Sequence, residues 1–264
     1  MYAFEYHRPK SVSDAAALLA KSRGKVMAGG QSLVGAMKLR LASPGTVIDL
    51  GDVAELRGIK KDGNNIVIGA TTRHSEVAAS ADVKKNIAAL AALAEGIGDR
   101  QVRNMGTIGG SIANNDPAAD YPAGVLGLGA TIQTNKRKIA ADDFFKGMYE
   151  TALQPDEIIT AVSFPIPKRA GYIKFHNPAS RFALVGVFVS QSDGGVRVAV
   201  TGAAAGVFRV SAMEQALTKN FVPDAVKGVK IDAGKLNTDL HASAEYRAHL
   251  IGVLAARAVA QAAK

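Results

Sequence analysis

The sequence predicts an α+β protein in three parts, and three observations lead to that prediction. The chain has 264 residues, of which 48% are hydrophobic and 21% charged, so it is long enough to bury a large core. Strand-like and helix-like segments alternate over residues 1–52, which is typical of βαβ connections and a small, mostly parallel sheet. After residue 167 several strand-like segments follow one another directly, which indicates an antiparallel sheet, and the tail is helical.

The first part, residues 1–52, is predicted to be a small βαβ-type domain. Ser11 or Ser13 can accept hydrogen bonds from the free N–H groups at the start of a following helix. Gly29-Gly30 ends a strand. The predicted elements are strands around 4–6, 25–28 and 46–50 and helices that include 14–19 and 31–41.

The second part, residues 53–166, is predicted to be a larger α+β domain. Residues 136–138, all basic, lie between two apolar stretches and predict the tip of a hairpin. Residues 96–117 contain too many glycines and asparagines for a regular element, so we predict an extended loop at a functional surface. The other predicted elements are a strand at 66–69 after a turn at 62–65, helices at 72–79 and 83–94, hairpin strands at 130–134 and from 138, and a strand at 157–164.

The third part, residues 167–264, begins after Pro165-Ile166-Pro167, because two prolines interrupt any regular element there. The last segment carries apolar residues such as Leu250, Leu254 and Ala258 along one face of a helix. The predicted elements are antiparallel strands at 172–175, 183–190 and 196–201 and helices at 211–217 and 244–262.

Cysteine is absent from the sequence. The chain therefore cannot bind an iron–sulfur cluster through thiolates, form a disulfide or use a cysteine nucleophile. The five histidines show no metal-binding spacing such as HxH or HExxH, so we expect no metal site. Any electron chemistry must come from a bound organic cofactor or from another chain.

The net charge of +9 raises the question of an anionic partner. Basic residues are scattered along the chain and no nucleic-acid-binding motif is present, so we expect no nucleic acid and assign the charge to a solvated surface or a face for an acidic partner subunit. The N-terminus lacks the apolar segment of a signal peptide, and no run of about 20 apolar residues exists. We therefore expect a cytoplasmic protein without a membrane span.

The first candidate binding loop joins a predicted strand to a predicted helix. Glycines there let backbone N–H groups point into one concavity, and the positive end of the helix dipole favours a phosphate. Gln31 and Ser32 add side-chain donors. An ordinary strand-to-helix turn, which needs only one glycine, is the alternative. The loop consists of Ala28, Gly29, Gly30, Gln31, Ser32 and Leu33.

The second candidate loop, residues 106–120, is rich in glycine, hydroxyl, amide and carboxylate groups. It offers donors to a pyrophosphate and acceptors to a ribose or ribityl chain. The alternative is a surface loop of Asx turns in which Asp116-Pro117 starts a helix. Neither loop matches the fingerprint GxGxxG, the P-loop GxxxxGK[ST] or the hydrolase motif GxSxG. One such loop in each of the first two parts predicts an anionic ligand clamped between them.

Together, residues 28–33, 37–40 and 107–122 resemble the FAD-binding medium subunit of molybdenum hydroxylases, a family that includes the carbon monoxide dehydrogenase medium subunit and the FAD domain of xanthine dehydrogenase. The likeness covers essentially the whole chain. It implies a PCMH-type FAD-binding fold for the first two parts, followed by a C-terminal antiparallel sheet with helices. The sequence departs from the family pattern at Gln31, where many relatives have His, and over residues 175–181.

The resemblance also implies residue roles, with the FAD pyrophosphate between the two loops. Asp120 matches an aspartate that binds the flavin's sugar chain, and Lys174 matches a lysine at the flavin's polar edge. Ile159 matches an apolar residue beside the isoalloxazine ring, and Phe182 takes the place of an aromatic residue over it. The implied cofactor-binding residues are Ala28, Gly29, Gly30, Gln31, Ser32, Leu33, Thr107, Gly109, Gly110, Ser111, Asn114, Asp116, Asp120, Ile159, Lys174 and Phe182, with no catalytic residue and no metal ligand.

The function that the resemblance implies is electron transfer by an oxidoreductase subunit. The implied partners are a molybdenum-cofactor large subunit, which oxidises the substrate, and a small subunit, which carries electrons through [2Fe–2S] clusters to the FAD of this chain. The FAD then passes them to an external acceptor. The lack of cysteine agrees with clusters on another chain, and the isolated chain is expected to be inactive. A non-catalytic module that binds a nucleotide or an anion is the alternative.

Overall fold

Three sheets and a short ribbon organise the chain in this computed structural model, which describes residues 1–263. The sheets have three, five and four strands in chain order, and the ribbon has two. Helices pack on the sheets, so the α+β prediction is confirmed. We propose that the domain boundaries lie after residues 52 and 166, since the chain passes from one sheet to the next near these points. In this part of the chain, none of the helices combines the length and the hydropathy that a membrane crossing needs.

The first sheet is parallel, as predicted. Its elements are β1 (Glu5–His7), α1 (Val12–Ser22), β2 (Lys25–Met27), α2 (Leu33–Lys38) and β3 (Thr46–Asp49). The strand order is β1-β3-β2, so the second crossover, which contains α2, returns the chain to the middle of the sheet. Ser11 rather than Ser13 caps α1, because its hydroxyl accepts the N–H of Asp14 at 3.1 Å. Leu19 and Ile48 pack between the helix and the sheet.

The second sheet is antiparallel and has the strand order β4-β5-β10-β6-β7. The elements of this part are β4 (Ile59–Asp62), β5 (Asn65–Gly69), α3 (His74–Ala79), α4 (Ala81–Asn86), α5 (Ala88–Glu95), α6 (Arg100–Met105), α7 (Ile108–Asn114), α8 (Tyr121–Gly127), β6 (Thr131–Thr134), β7 (Lys138–Ala140), α9 (Ala141–Phe144), β8 (Phe145–Gly147), β9 (Glu150–Thr151) and β10 (Ile159–Pro165). Its helices and the inner face of the sheet enclose the largest hydrophobic core of the part of the chain that the structure describes.

The extended loop predicted for residues 96–117 is wrong, because most of it folds into α6 and α7. Capping side chains offset the weak helix propensity of glycine and asparagine. Asp99 accepts an N–H from the first turn of α6 at 2.8 Å, and Thr107 does the same for α7 at 3.2 Å. Gly109 lies against Ala70, whose Cβ would be 2.6 Å from a Cβ on the glycine, so this glycine serves close packing.

The single helix predicted over residues 83–94 is also wrong. Ile87 has φ −144° and ψ 64°, which separates α4 from α5. Its side chain is buried with Val83 and Leu90 in the same core. The apolar spacing runs through the break because both helices contribute to one core, and spacing alone therefore did not indicate the break.

The hairpin of β6 and β7 is confirmed, but its basic tip is held by ion pairs. Arg137 donates from Nε to the buried carboxylate of Glu157 at 2.9 Å and from Nη2 at 3.0 Å. This bonding with Arg137 lowers the pKa of Glu157 to about 2, although burial opposes the shift. Lys136 pairs with Asp156 at 2.5 Å. The run is therefore only partly a solvated surface.

The third sheet is the predicted antiparallel meander, extended by one short strand. Its order is β11-β12-β13-β14. The elements are β11 (Arg169–His176), β12 (Ala183–Ser192), β13 (Gly195–Thr201), β14 (Phe208–Arg209), α10 (Ser211–Lys219) and α11 (Ala244–Ala262). Buried Arg247 of α11 donates to the carbonyl groups of Leu184 at 2.7 Å and Gly202 at 2.9 Å, which ties the helix to two strand ends.

The other face of the third sheet packs against α5 and α8. Gly127 of α8 lies against the ring of Phe188, where a Cβ would come within 2.8 Å of a ring carbon. The Thr201 hydroxyl donates to the Ala119 carbonyl at 2.6 Å. This contact fixes the end of β13 against the residue that precedes Asp120, a candidate site residue at the start of α8.

Candidate functional site

The first glycine loop follows the carboxyl end of β2 and leads into α2. Gly30 has φ +72°, a left-handed conformation that glycine adopts without strain. Gly29 touches the chain that enters the second loop: a Cβ there would overlap the carbonyl group of Met105 and lie 2.9 Å from the Cα of Gly106. Gly30 is required by its backbone conformation and Gly29 by its contact with Met105. An ordinary strand-to-helix turn would need only one glycine.

The first loop leaves a row of backbone donors open. Val34 donates to the Gly30 carbonyl at 2.9 Å. Within residues 1–263, the five N–H groups of residues 29–33 donate to no other protein group. The exposed side chains of Gln31 and Ser32 also make no hydrogen bond to the described part of the chain. An oxyanion can accept hydrogen bonds from such open backbone N–H groups.

The second loop has no such open donors at the start of α7, because the first N–H groups of this helix already have protein acceptors. These bonds run from Ile108 to the Thr72 carbonyl (3.1 Å), from Gly109 to the Ala70 carbonyl (2.8 Å), from Gly110 to Thr107 Oγ1 (3.2 Å) and from Ser111 to the Thr107 carbonyl (3.0 Å). The half-buried side chains of Ser111 and Asn114 make no hydrogen bond within residues 1–263. This loop offers side chains, whereas the first offers backbone groups.

The two loops lie side by side, as the sequence predicted. A Cβ on Gly110 would be 3.9 Å from the Cβ of Ala28, and Gly29 is in contact with Met105 and Gly106. A ligand bound by the open N–H groups therefore adjoins the second loop.

Asp120 and Lys174 form a buried ion pair between the second and third parts of the chain. The Lys174 Nζ lies 2.9 Å from Asp120 Oδ2, and each side chain is only 4% exposed. The Tyr172 hydroxyl donates to Asp120 Oδ1 at 2.5 Å. Lys174 also donates to the Gly96 carbonyl, which follows the C-terminus of α5, at 3.1 Å. The two residues that the resemblance assigned to the flavin thus bind one another, and one of the three Nζ donors has no protein acceptor in the described chain.

Burial controls the electrostatics of this pair. It raises the pKa of Asp120, while Lys174 and Tyr172 act in the opposite direction. It also raises the pKa of Tyr172 well above its ordinary value, and the neighbouring Asp120 adds to that shift. Tyr172 is therefore a neutral donor, and the lysine and the tyrosine together favour the charged carboxylate.

Three other candidate residues have different surroundings. Asp116 accepts the N–H of Ala118 at 2.9 Å, which is the Asx turn of the alternative interpretation. Ile159 begins β10 and is 5% exposed in the hydrophobic core. Phe182 is 46% exposed in the loop between β11 and β12. The flavin contacts that the resemblance implies for Ile159 and Phe182 stay predictions.

Two residues that shape the site are absent from the implied cofactor-binding set, although Asn115 lies within the second candidate loop. Tyr172 orients Asp120, and its position two residues before Lys174 on one strand was the available signal, since such residues share a face. Asn115 ends α7 in a left-handed conformation and donates to the carbonyl groups of Gly147 and Glu150, both at 2.8 Å. It fixes the β8–β9 ribbon beside the second loop.

Comparison with known proteins shows the family to which the chain belongs. Residues 2–167 match the family model described as the FAD binding domain in molybdopterin dehydrogenase. The chain is 36% identical to the nicotine 6-hydroxylase medium subunit of Paenarthrobacter nicotinovorans, over 98% of this chain and 97% of that protein. It is also 36% identical to the carbon monoxide dehydrogenase medium chain of Afipia carboxidovorans, over 98% and 96%.

Solved structures of carbon monoxide dehydrogenase contain chains with the same fold. Reconstituted carbon monoxide dehydrogenase from Oligotropha carboxidovorans contains a chain that superposes with a TM-score of 0.91 and 34% identity, covering 99% of this chain and 98% of that one. A carbon monoxide dehydrogenase chain from Hydrogenophaga pseudoflava gives a TM-score of 0.89 and 36% identity, covering 99% and 97%.

The fold and the paired loops thus define a flavoprotein of the molybdenum hydroxylase class. The chain belongs to the family of FAD-binding domains of molybdopterin dehydrogenases, as its medium-subunit relatives do, and its cofactor is FAD. The residues present fit that cofactor, because the open N–H groups of residues 29–33 can bind pyrophosphate oxygens.

The contact between the loops predicts an effect of Gly29→Ala. The new methyl group would overlap the Met105 carbonyl and force the loops apart, at a cost of about 1–3 kcal/mol. We expect FAD affinity, measured by flavin fluorescence titration, to fall roughly 5- to 150-fold. Gly35→Ala is the matched control, since a Cβ at Gly35 of α2 meets nothing within 4 Å. Equal affinities of the two variants would contradict the assigned contact.

Proposed function

We propose that this chain is an oxidoreductase subunit whose FAD transfers electrons from partner iron–sulfur clusters to an external acceptor. In this scheme a large subunit oxidises the substrate at molybdenum, and a small subunit delivers the electrons through [2Fe–2S] clusters. The observation that carries the proposal is the row of open N–H groups at residues 29–33 beside the second glycine loop, in a cysteine-free chain of this family.

The proposed cofactor-binding residues act in different ways. The backbone of residues 29–33 binds the pyrophosphate, and Ser111 and Asn114 add side-chain groups. Lys174 presents its free Nζ donor to the flavin's polar edge, while Asp120 holds the ammonium in place. Ala28, Thr107, Gly109, Gly110, Asp116, Ile159 and Phe182 complete the proposed set. Bound FAD supplies the redox chemistry, and the chain supplies its binding and orientation.

The names of the relatives support a hetero-oligomer. Two of them are called a medium subunit and a medium chain, and a third is the FAD-binding subunit of xanthine dehydrogenase from Escherichia coli O157:H7. The absence of cysteine supports clusters on another chain. We propose a molybdenum-cofactor large subunit and a [2Fe–2S] small subunit as the partners, no membrane or nucleic-acid partner, and the cytoplasm as the location.

The proposal predicts that electrons reach this FAD from the small subunit. The FAD-loaded chain, mixed without oxygen with the chemically reduced small subunit of the same organism, should lose its oxidised-flavin absorbance in a stopped-flow experiment. The chain alone should reduce no dye when given nicotine or carbon monoxide. Unchanged flavin absorbance after mixing, or turnover by the isolated chain, would contradict the proposal.

The charge of Lys174 predicts an effect on the flavin reduction potential. Lys174→Gln keeps a donor for Asp120 and Gly96 but removes a positive charge that favours the reduced, anionic flavin. A loss of about 1–3 kcal/mol for the two-electron couple corresponds to a potential lower by roughly 20–60 mV. Lys168→Gln, which breaks an exposed pair with Asp193, is the control and should leave the potential unchanged. Equal potentials in both variants would show that Lys174 does not face the flavin.

A further inference from the structure

The first sheet has a second edge that the proposed function does not use. Its parallel strands β1, β2 and β3 all begin at this edge, and α1 and α2 end there because each helix returns the chain to the start of a strand. Gly24, between α1 and β2, lies against the start of β3, since a Cβ there would be 2.7 Å from the Thr46 carbonyl oxygen. The first glycine loop follows the carboxyl end of β2, at the opposite edge of the sheet. We call Tyr2 and residues 21–25 and 38–41 the amino-edge surface.

Two exposed leucines follow α2 on this surface. Leu39 is 73% exposed and Leu41 is 80% exposed, and Arg40 between them has φ +60°. The N–H groups of Arg40 and Leu41 donate to the carbonyl groups of Met37 at 3.1 Å and Ala36 at 2.8 Å, which is a Schellman motif. In this motif the left-handed residue is usually glycine and the residue after it usually packs on the helix. Here the left-handed residue is an arginine, and the leucine after it is exposed to solvent.

Arg40 connects this turn to the segment before β1. Its guanidinium carbon lies over the ring of Tyr2, 5.3 Å from the ring centroid, and the tyrosine is itself about half exposed. The turn with both leucines therefore lies beside an exposed aromatic ring. A single exposed leucine is ordinary, whereas a group of exposed apolar side chains with a polar rim is typical of an interaction site.

The charges of the amino-edge surface have one sign. It carries five exposed cations, which are Lys21, Arg23, Lys25, Lys38 and Arg40. Of the four carboxylates in residues 1–52, only Glu5 lies at this edge, where β1 begins. The other three, Asp14, Asp49 and Asp52, lie at or after the carboxyl ends of the strands. A protein that covers this surface must supply carboxylates of its own.

Helix stability accounts for only part of this arrangement. Lys21 and Lys38 lie in the last turns of α1 and α2, where the helix dipole favours a cation. Arg23 and Arg40 are both left-handed residues just after these helices, where a side chain adds strain that glycine avoids. Exposed leucines gain no stability from contact with water. Strained and apolar residues at one edge therefore indicate contact with another molecule.

We propose that the amino-edge surface binds an acidic, partly apolar surface of the large subunit. Tyr2, Leu39 and Leu41 form the centre of the contact and the cations surround it, as in protein interfaces with an apolar core and a polar rim. The proposal rests on the proposed function, in which the small subunit must dock beside the cofactor-binding residues to deliver electrons. Within residues 1–52 these are residues 28–33 at the opposite edge, so the amino edge is available to the other subunit.

The test is the affinity of the FAD-loaded full chain for the purified large subunit of the same organism, measured by biolayer interferometry. Leu41→Asp should weaken binding roughly tenfold or more, because it places a carboxylate opposite an acidic partner and removes apolar contact. Leu240→Asp is the matched control, since this leucine is 90% exposed in the third part, and its affinity should equal that of the wild type. Both variants should keep the Tm and the FAD content of the wild type.

A second variant changes another element of the surface, so the result does not depend on the turn after α2. Lys25→Glu reverses an exposed charge at the start of β2 and should weaken binding and its dependence on salt, whereas Lys61→Glu, exposed on β4, should change neither. Affinities of Leu41→Asp and Lys25→Glu equal to those of their controls would overturn the proposal.

Three further outcomes would also overturn it. The first is a wild-type chain that fails to bind the large subunit although the reduced small subunit still reduces its FAD, which leaves the proposed electron transfer intact. The second is a Leu41→Asp chain whose FAD the small subunit no longer reduces, since the surface then serves that subunit. The third is binding of the wild type, but not of Leu41→Asp, to vesicles of phosphatidylcholine and phosphatidylserine in equal amounts, which would identify a lipid surface.

Discussion

A backbone N–H group can donate to its own protein or to a ligand, and the two glycine loops differ in which of these they do. In the second loop, the N–H groups of residues 108–111 bind Ala70, Thr72 and Thr107, which fixes α7 against β5 and α3. In the first loop, the N–H groups of residues 29–33 have no protein acceptor in the described chain. The N–H groups of the second loop are thus used within the protein, whereas those of the first loop are available to donate to a ligand. Donors that have no protein acceptor are available to ligand oxygens.

The contact at Gly29 places the first loop, with its open N–H groups, directly beside the second loop. Because a side chain would overlap the Met105 carbonyl, the first loop can lie this close to Met105 only with glycine at position 29. The ion pair of Asp120 and Lys174 has a similar effect between the second and third parts. Burial of two charges is expensive, and the pair persists because Tyr172 and the Gly96 carbonyl supply further hydrogen bonds. These two contacts connect neighbouring parts of the chain, one beside the first loop and the other at the start of α8.

Much of the fold could be predicted because its signals are local. The capped helix after Ser11, the parallel βαβ unit, the hairpin at residues 136–138 and the C-terminal meander follow from spacing, turns and caps. The break at Ile87 and the helices within residues 96–117 could not, since they depend on which core the side chains share and on the caps Asp99 and Thr107.

In the candidate site, too, local features could be predicted from the sequence, whereas contacts between distant residues could not. The sequence indicated both glycine loops and, through the family resemblance, FAD, which the comparisons confirm. It did not indicate that one loop is open and the other closed, because the acceptors Ala70 and Thr72 are distant in sequence. Nor did it indicate that Asp120 and Lys174 bind each other, since their contact depends on the packing of the third sheet against α8.

Amide hydrogen exchange tests the central claim most directly, since it observes individual N–H groups. Exchange of the full chain is measured with and without saturating FAD, by NMR or by mass spectrometry with single-residue resolution. We predict that FAD slows exchange of the amides of residues 29–33 at least tenfold, whereas the amides of residues 108–111, which are already bonded, change much less. Stronger protection of residues 108–111 than of residues 29–33 would contradict the assignment of the first loop as the one that donates to the ligand.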